Sequence, residues 1–130
     1  MTAISKELAI DEVNKWLDFK KVKEKKRVAY KDAIEGLADA ISEGCLVLNE
    51  DFSFTQTLDF PVGAEKQFKT LDYKARIDVA TIQKYMNGVS TGDGRILATI
   101  AALSGQAKEV VSKLDTEDYS VASSVAIFFL

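Results

Sequence analysis

Three stretches of the chain hold residue types that could do chemistry. In GVSTGDGR, residues 88–95, Gly88, Gly92 and Gly94 precede Arg95 where a helix is expected to start. Free backbone N–H groups at such a point can cradle a phosphate. A Walker A loop, however, needs two glycines five apart followed by Lys and then Ser or Thr, and this stretch has neither the spacing nor the lysine. The favoured reading is a linker, with Ser90, Thr91 or Asp93 capping the next helix. A second stretch gathers Lys20, Lys21, Lys23, Lys25, Lys26 and Arg27, cations that would release counterions on meeting nucleic acid. Asp18 and Glu24 interrupt it, no aromatic residue alternates with the lysines, and the chain carries a formal charge of -3. A solvated helix or loop is favoured, binding to an acidic partner is the functional alternative, and no nucleic-acid partner is expected.

The third group is the acids and the lone thiol. NEDFSFTQTLD lacks the glycine at the sixth position and the spaced acids of a calcium loop. Asp72, Asp78 and Asp93 form an acid pair only if the fold brings two of them together. Cys45, next to Leu46 and Val47, reads as a buried inert thiol, because a nucleophile would need a base and the chain has no histidine. The absence of histidine also removes the usual hydrolase triad and the commonest neutral zinc ligand. The expectation is a protein that is not an enzyme, with no catalytic, metal-binding or cofactor-binding residues.

What positions these residues follows from length and period. A chain of 130 residues can bury one core, and 47% hydrophobic with 28% charged residues is a globular balance, so a single domain over 1–130 is expected. One cysteine cannot make an intramolecular disulfide. MTAISKELAI, residues 1–10, lacks a basic stretch followed by an apolar one, so no leader is predicted. The apolar end from Tyr119 to Leu130, interrupted by Ser120, Ser123 and Ser124, is far shorter than the ~20 residues of a membrane span.

Residues 1–44 read as a helical pair. Ala9, Val13, Trp16 and Leu17 recur at helical spacing, as do Tyr30, Ala33, Ile34, Leu37, Ala38 and Ile41, with Gly44 as the stop. Over residues 45–73 the period drops to two. Leu46 and Leu48 start a hairpin, Asn49, Glu50 and Asp51 turn it, and Phe52, Phe54, Leu58 and Phe60 line one side of the return strand, which Pro61 and Gly63 close. KQFKTLDY adds a third short strand. Over residues 74–130 the helical period returns, with faces Ala75, Val79, Ile82, Met86 and Ile96, Leu97, Ile100, Leu103. A short helix over SGQAKEVVSKL follows, then a last helix capped by Asp115 with Asp118 in a capping box and running to the end. Its buried face is Tyr119, Ala122, Val125, Ala126 and Phe129, with Phe128 and Leu130 flanking. The fold class is therefore α+β: an N-terminal helical hairpin, a small antiparallel β-sheet and a C-terminal helical cluster.

From Leu58 to Leu130 the order of features, LDFPVG, then FKTLDYKARIDVATIQKYMNG, then ILATIAALSGQAKEVVSKLDTEDYSVASSVAIFFL, resembles the tail assembly chaperones of long-tailed bacteriophages, in particular the small Mu-like group. The matching positions are Leu103, Ser104 and Gly105 at the L-S-G step, then Val110, Leu114, Asp118, Tyr119 and Phe128, with Leu71, Arg76 and Asp78 upstream. YKARID departs from the proline-threonine helix start common in the group. The resemblance implies a non-catalytic chaperone in the host cytoplasm that keeps the tape-measure protein soluble until tail-tube subunits assemble around it. It also implies that a longer frameshifted product is made in some members, and IFFL can be encoded by a slippery run of uridines. On this reading Phe128, Phe129 and Leu130 contact the client, with Tyr85 and Met86 as a second apolar candidate and core packing as the alternative for all five. A homo-oligomer is compatible with it. The competing function is a permanent structural or adaptor subunit of a phage particle.

Overall fold

The computed structural model describes residues 3–130, so Met1 and Thr2, the first residues of the stretch read as leaderless, lie outside the described residues. The first helix, α1 (Lys6–Phe19), starts where the Ser5 hydroxyl accepts the Leu8 N–H and buries Ala9, Val13, Trp16 and Leu17, the face its spacing predicts. It packs on α3 (Lys31–Glu43), whose Leu37, Ala38, Ala40 and Ile41 are buried. The helical pair is therefore present, but a third helix, α2 (Glu24–Ala29), is interposed within the basic run. Helix α3 ends at Gly44, whose φ of 88° places it in the left-handed region that glycine enters without a Cβ penalty.

Strands β1 (Leu46–Leu48), β2 (Phe54–Val62) and β3 (Phe68–Tyr73) form one antiparallel sheet in that order. Leu46 opposes Gln56 and Leu48 opposes Phe54, while Phe54 opposes Tyr73 and Gln56 opposes Leu71 on the other side. Phe54 and Leu58 are buried as predicted, but Phe60 is 56% exposed. The ladder explains the reversal. Between the pairs Thr57–Thr70 and Val62–Phe68, the residues Leu58 to Pro61 of β2 face only Lys69 of β3. Such a bulge interrupts the two-residue alternation, so Phe60 turns out although Leu58 and Val62 on either side of it are buried, and it accommodates Pro61, which has no N–H for the ladder. Phe52 also leaves the expected side. It sits in the hairpin turn at a φ of 66° and stacks on Phe19, with ring centroids 4.4 Å apart.

The C-terminal cluster comprises α4 (Val79–Met86), α5 (Gly92–Ser104), α6 (Lys108–Ser112), α7 (Thr116–Ala126) and a 3-10 turn over Ile127–Phe129. Ala75 lies before α4, not on its face, and Val79 is 68% exposed. Helix α5 is the central one, with every residue from Ala98 to Leu103 buried. Helix α7 crosses α3 closely: a Cβ added at Gly36 would come within 3.3 Å of the Ser124 hydroxyl. The last helix stops at Ala126 instead of running to the end. A 3-10 turn advances about 120° per residue against about 100° in an α-helix, which swings the final side chains away from the predicted positions. Phe128, expected to flank the buried face, is 3% exposed, whereas Phe129, expected on it, is half-buried.

Trp16 is the meeting point of these layers. Its ring lies 5.0 Å from Phe54 of the sheet, 5.6 Å from Phe128 edge-on, and 6.1 Å from Phe129, measured between centroids. Tyr30 meets Phe128 edge-on at 5.7 Å. Each such pair adds about 0.5–1.5 kcal/mol beyond the area it buries.

Candidate functional site

The basic run divides into residues of different duty. Arg27 is tied down, its Nε donating to the Val22 carbonyl at 2.9 Å and its guanidinium to Asp18 at 2.8 Å. It fastens the turn between α1 and α2, in which Lys21 has a φ of 58°. Lys23 and Lys25 are solvated, as the sequence suggests. Lys20 turns inward: its Nζ lies 3.4 Å from the centroid of the Phe129 ring and 5.7 Å from that of Trp16. A cation over an aromatic face is attracted by the ring quadrupole.

Lys20, Arg76, Ile77, Phe128, Phe129 and Leu130 line a cleft of about 230 Å³. Of its aromatic and aliphatic lining, Phe128 is buried, Phe129 is half-buried and Leu130 is 44% exposed. Arg76 comes from the segment between β3 and α4 and is exposed. Burial disfavours the charged form of Lys20, and the neighbouring cations Arg76 and Lys26 add to this, bringing its pKa down to about 8. Among the described residues the side chains of Lys20 and Arg76 join no ion pair. The pairs present are Lys6–Asp39, Lys15–Glu12 and Arg27–Asp18.

The second apolar candidate lies on α4. Asp78 caps its start, accepting the Thr81 N–H at 2.7 Å, and Lys108 donates to the Tyr85 carbonyl near its end at 2.7 Å. The helix packs on α5 yet has no fully buried residue. Ile82, Tyr85 and Met86 are half-buried and Val79 is open. Ile77, two residues before it, lines the Lys20 cleft, so the α4 approach and the chain end share one wall. Of the five residues singled out for client contact, the fold groups Phe128, Phe129 and Leu130 at this cleft and places Tyr85 and Met86 on α4. Phe128 is a core residue, and its role there is packing.

The acids do not converge. Asp78 is a helix cap, Asp72 accepts the Thr55 hydroxyl at 2.7 Å, and Asp93 occupies the first turn of α5. The α5 start is capped by Thr91, which accepts the Gly94 N–H at 3.0 Å. No group of three His, Cys, Asp or Glu side chains among the described residues could hold a metal ion. Cys45 is half-buried, its thiol directed at the Ala40 carbonyl at 3.4 Å. Burial, then the charges of Asp59 and Glu43, push its pKa up, away from the reactive thiolate.

Two features escaped the sequence reading. Pro61, Val62, Ala64 and Phe68 at the end of the β2–β3 hairpin, with Ala107 and Val110 of the α6 region, line a groove of about 530 Å³. Nothing in the period of those residues signals it, because the bulge that opens it is set by pairing. The other is a buried polar chain. The Tyr73 hydroxyl donates to Gln56 Oε1 at 2.6 Å, Gln56 Nε2 donates to the Asp118 carbonyl at 3.0 Å, and the Asp118 carboxylate accepts the N–H groups of Asp59 and Phe60, each at 3.0 Å. The predicted capping box is thus only half made. Asp115 accepts the Glu117 N–H at 2.9 Å, but Asp118 is spent on the β2 bulge.

No helix among the described residues is long and apolar enough to cross a membrane. Set against family models, curated proteins and solved structures, the chain matches none.

Proposed function

We propose that this chain is a non-catalytic tail assembly chaperone of a long-tailed bacteriophage, acting in the host cytoplasm on the tape-measure protein before tail-tube subunits enclose it. The observation that carries the reading is the incompletely covered apolar surface of α4 and the chain end. Val79 and Leu130 are open, Ile82, Tyr85, Met86 and Phe129 are half-buried, and α4 has no fully buried residue. A largely helical client can lay an apolar stripe on such a surface, the mode in which amphipathic helices are held in grooves. The spacing from Leu58 to Leu130 supplies the identity of the client, through its likeness to the Mu-like chaperones.

The test is mass spectrometry of an affinity pull-down from cells expressing the whole gene cluster, run beside purified particles. A long tape-measure-like protein in the pull-down, with this chain missing from particles, is the expected result. Stoichiometric recovery in particles would make the chain a permanent structural or adaptor subunit instead.

A further inference from the structure

The Lys20 cleft gathers two cations beside the apolar chain end. Its surface is mostly polar, with Lys20 and Arg76 in its lining, while Ile77, Phe128, Phe129 and Leu130 add little open hydrocarbon inside it; the apolar surface lies at its edge, where Leu130 is 44% exposed. The Lys20 ammonium is held against two aromatic rings, where its solvation is reduced. A half-buried cation beside a second cation is costly unless an opposite charge arrives, and no carboxylate pairs with either among the described residues. Lys26 acts on Lys20 with the same sign as Arg76. The chain carries a net charge of -3, so this basic corner stands against the sign of the whole.

We propose that the cleft formed by Lys20, Arg76, Ile77 and Phe129 binds the side-chain carboxylate of an acidic segment of a client protein, with the hydrocarbon of that segment on Phe129 and Leu130. Complementarity of charge and shape selects this occupant. A carboxylate matches a mostly polar cleft of about 230 Å³ that holds two cations, and its alkyl stem reaches the exposed Leu130 at the edge. Arg76 can meet the carboxylate with two parallel N–H groups, while Lys20 supplies a point charge already fixed by the rings. The basic run then has a use that its solvated members do not explain: Arg27 and Asp18 hold the turn that begins at Lys20.

This inference rests on the reading that the protein binds a polypeptide, but not on the client being a tape-measure protein. It is tested on the full chain with a blocked peptide, N-acetyl-Leu-Glu-Leu-amide, against its glutamine counterpart and inorganic phosphate. Trp16 is the single tryptophan and its ring is 5.7 Å from the Lys20 ammonium, so its fluorescence reports occupancy. The glutamate peptide should bind about ten-fold more tightly than the glutamine one, the equivalent of one charge-assisted contact. The Arg76→Gln variant, changed at an exposed side chain, should lose about that factor, and Lys20→Gln should do likewise. Bound glutamate peptide should also raise the Lys20 pKa from about 8, followed by NMR of labelled lysine. Equal binding of both peptides, full binding by Arg76→Gln, or phosphate binding as tightly as the glutamate peptide would overturn the proposal. Loss of the peptide effect with the pull-down result intact would sink the carboxylate site alone. Failure of the pull-down with peptide binding intact would sink only the identity of the client.

Discussion

The carboxylate of Asp118 accepts the backbone N–H of Phe60 at 3.0 Å, across 58 positions of sequence. Its other oxygen takes the N–H of Asp59 at the same distance, so one side chain of α7 satisfies two consecutive donors that the β2 bulge removes from the ladder. Backbone donors must find partners somewhere, and here a helix supplies the acceptor for a strand. Replacing Asp118 with Asn keeps one acceptor but turns an amide donor toward the second N–H. The expected cost is about 1–3 kcal/mol, and more for Asp118→Ala. Urea unfolding followed by Trp16 fluorescence should show a lower midpoint with an unchanged slope. An unchanged midpoint for both variants would mean that water replaces the carboxylate without loss.

Gln56 is fully buried and relies on Tyr73 for its oxygen and on Asp118 for its amide. Burial and the neighbouring charges of Asp118 and Asp72 push the Tyr73 hydroxyl well above its ordinary pKa, so it stays a proton donor. Tyr73→Phe leaves the Gln56 oxygen without its donor and should cost about 1–3 kcal/mol. Adding Gln56→Leu removes the orphaned group as well. The double variant should therefore be less destabilised than the two single effects summed, and strict additivity in the double-mutant cycle would contradict the coupling.

The fold was legible where period alone decides. The stripes of α1 and α3, the hairpin turn and the Gly44 stop all follow from residue spacing, because each is local and one face of each element is buried. Phe60 was not legible, since its side depends on how many β2 residues oppose Lys69. Phe128 and Phe129 exchanged places because a 3-10 turn replaced the last helical turn, a tightening that residues of similar apolarity do not announce. The cleft needed three separate segments, at Lys20, at Arg76 to Ile77 and at the chain end. A lysine run shows only that charge is present, and which lysine turns inward is settled by where Trp16 and Phe129 come to rest.

The chain end separates stability from client binding. Phe128 is buried between Trp16 and Tyr30, so Phe128→Ala should cost about 3–5 kcal/mol and reduce every activity through unfolding. Leu130 and Val79 are exposed, and Leu130→Ser with Val79→Ser should each stay within about 0.5 kcal/mol of the parent. If α4 and the chain end hold the client, the double surface variant should lose capture of the tape-measure protein while keeping its urea midpoint. Full capture by that variant would move the client surface elsewhere, with the Pro61–Phe68–Val110 groove the next to test.

Lys20 ties stability to pH with a definite sign. Its pKa falls from 10.5 when exposed to about 8 in the fold, chiefly through burial and then through Arg76 and Lys26. Below about pH 8 the lysine is protonated in both states, and the folded protein bears the full cost of the buried charge. Between about 8 and 10.5 the unfolded chain holds the proton that the folded chain has released, so this group makes the fold more stable as pH rises. Cys45 and Tyr73, both raised from 9.0 and 10.0, act the other way at the top of that range. The contribution of Lys20 must therefore be read as a difference between the parent and Lys20→Met, in which the shared groups cancel. The parent should gain on the variant from pH 8 to 10.5, with little change from 6 to 7, and by an amount reduced because part of the side chain reaches solvent. Parallel stability curves for the two proteins across that range would mean that burial and the neighbouring cations do not lower the Lys20 pKa in the fold.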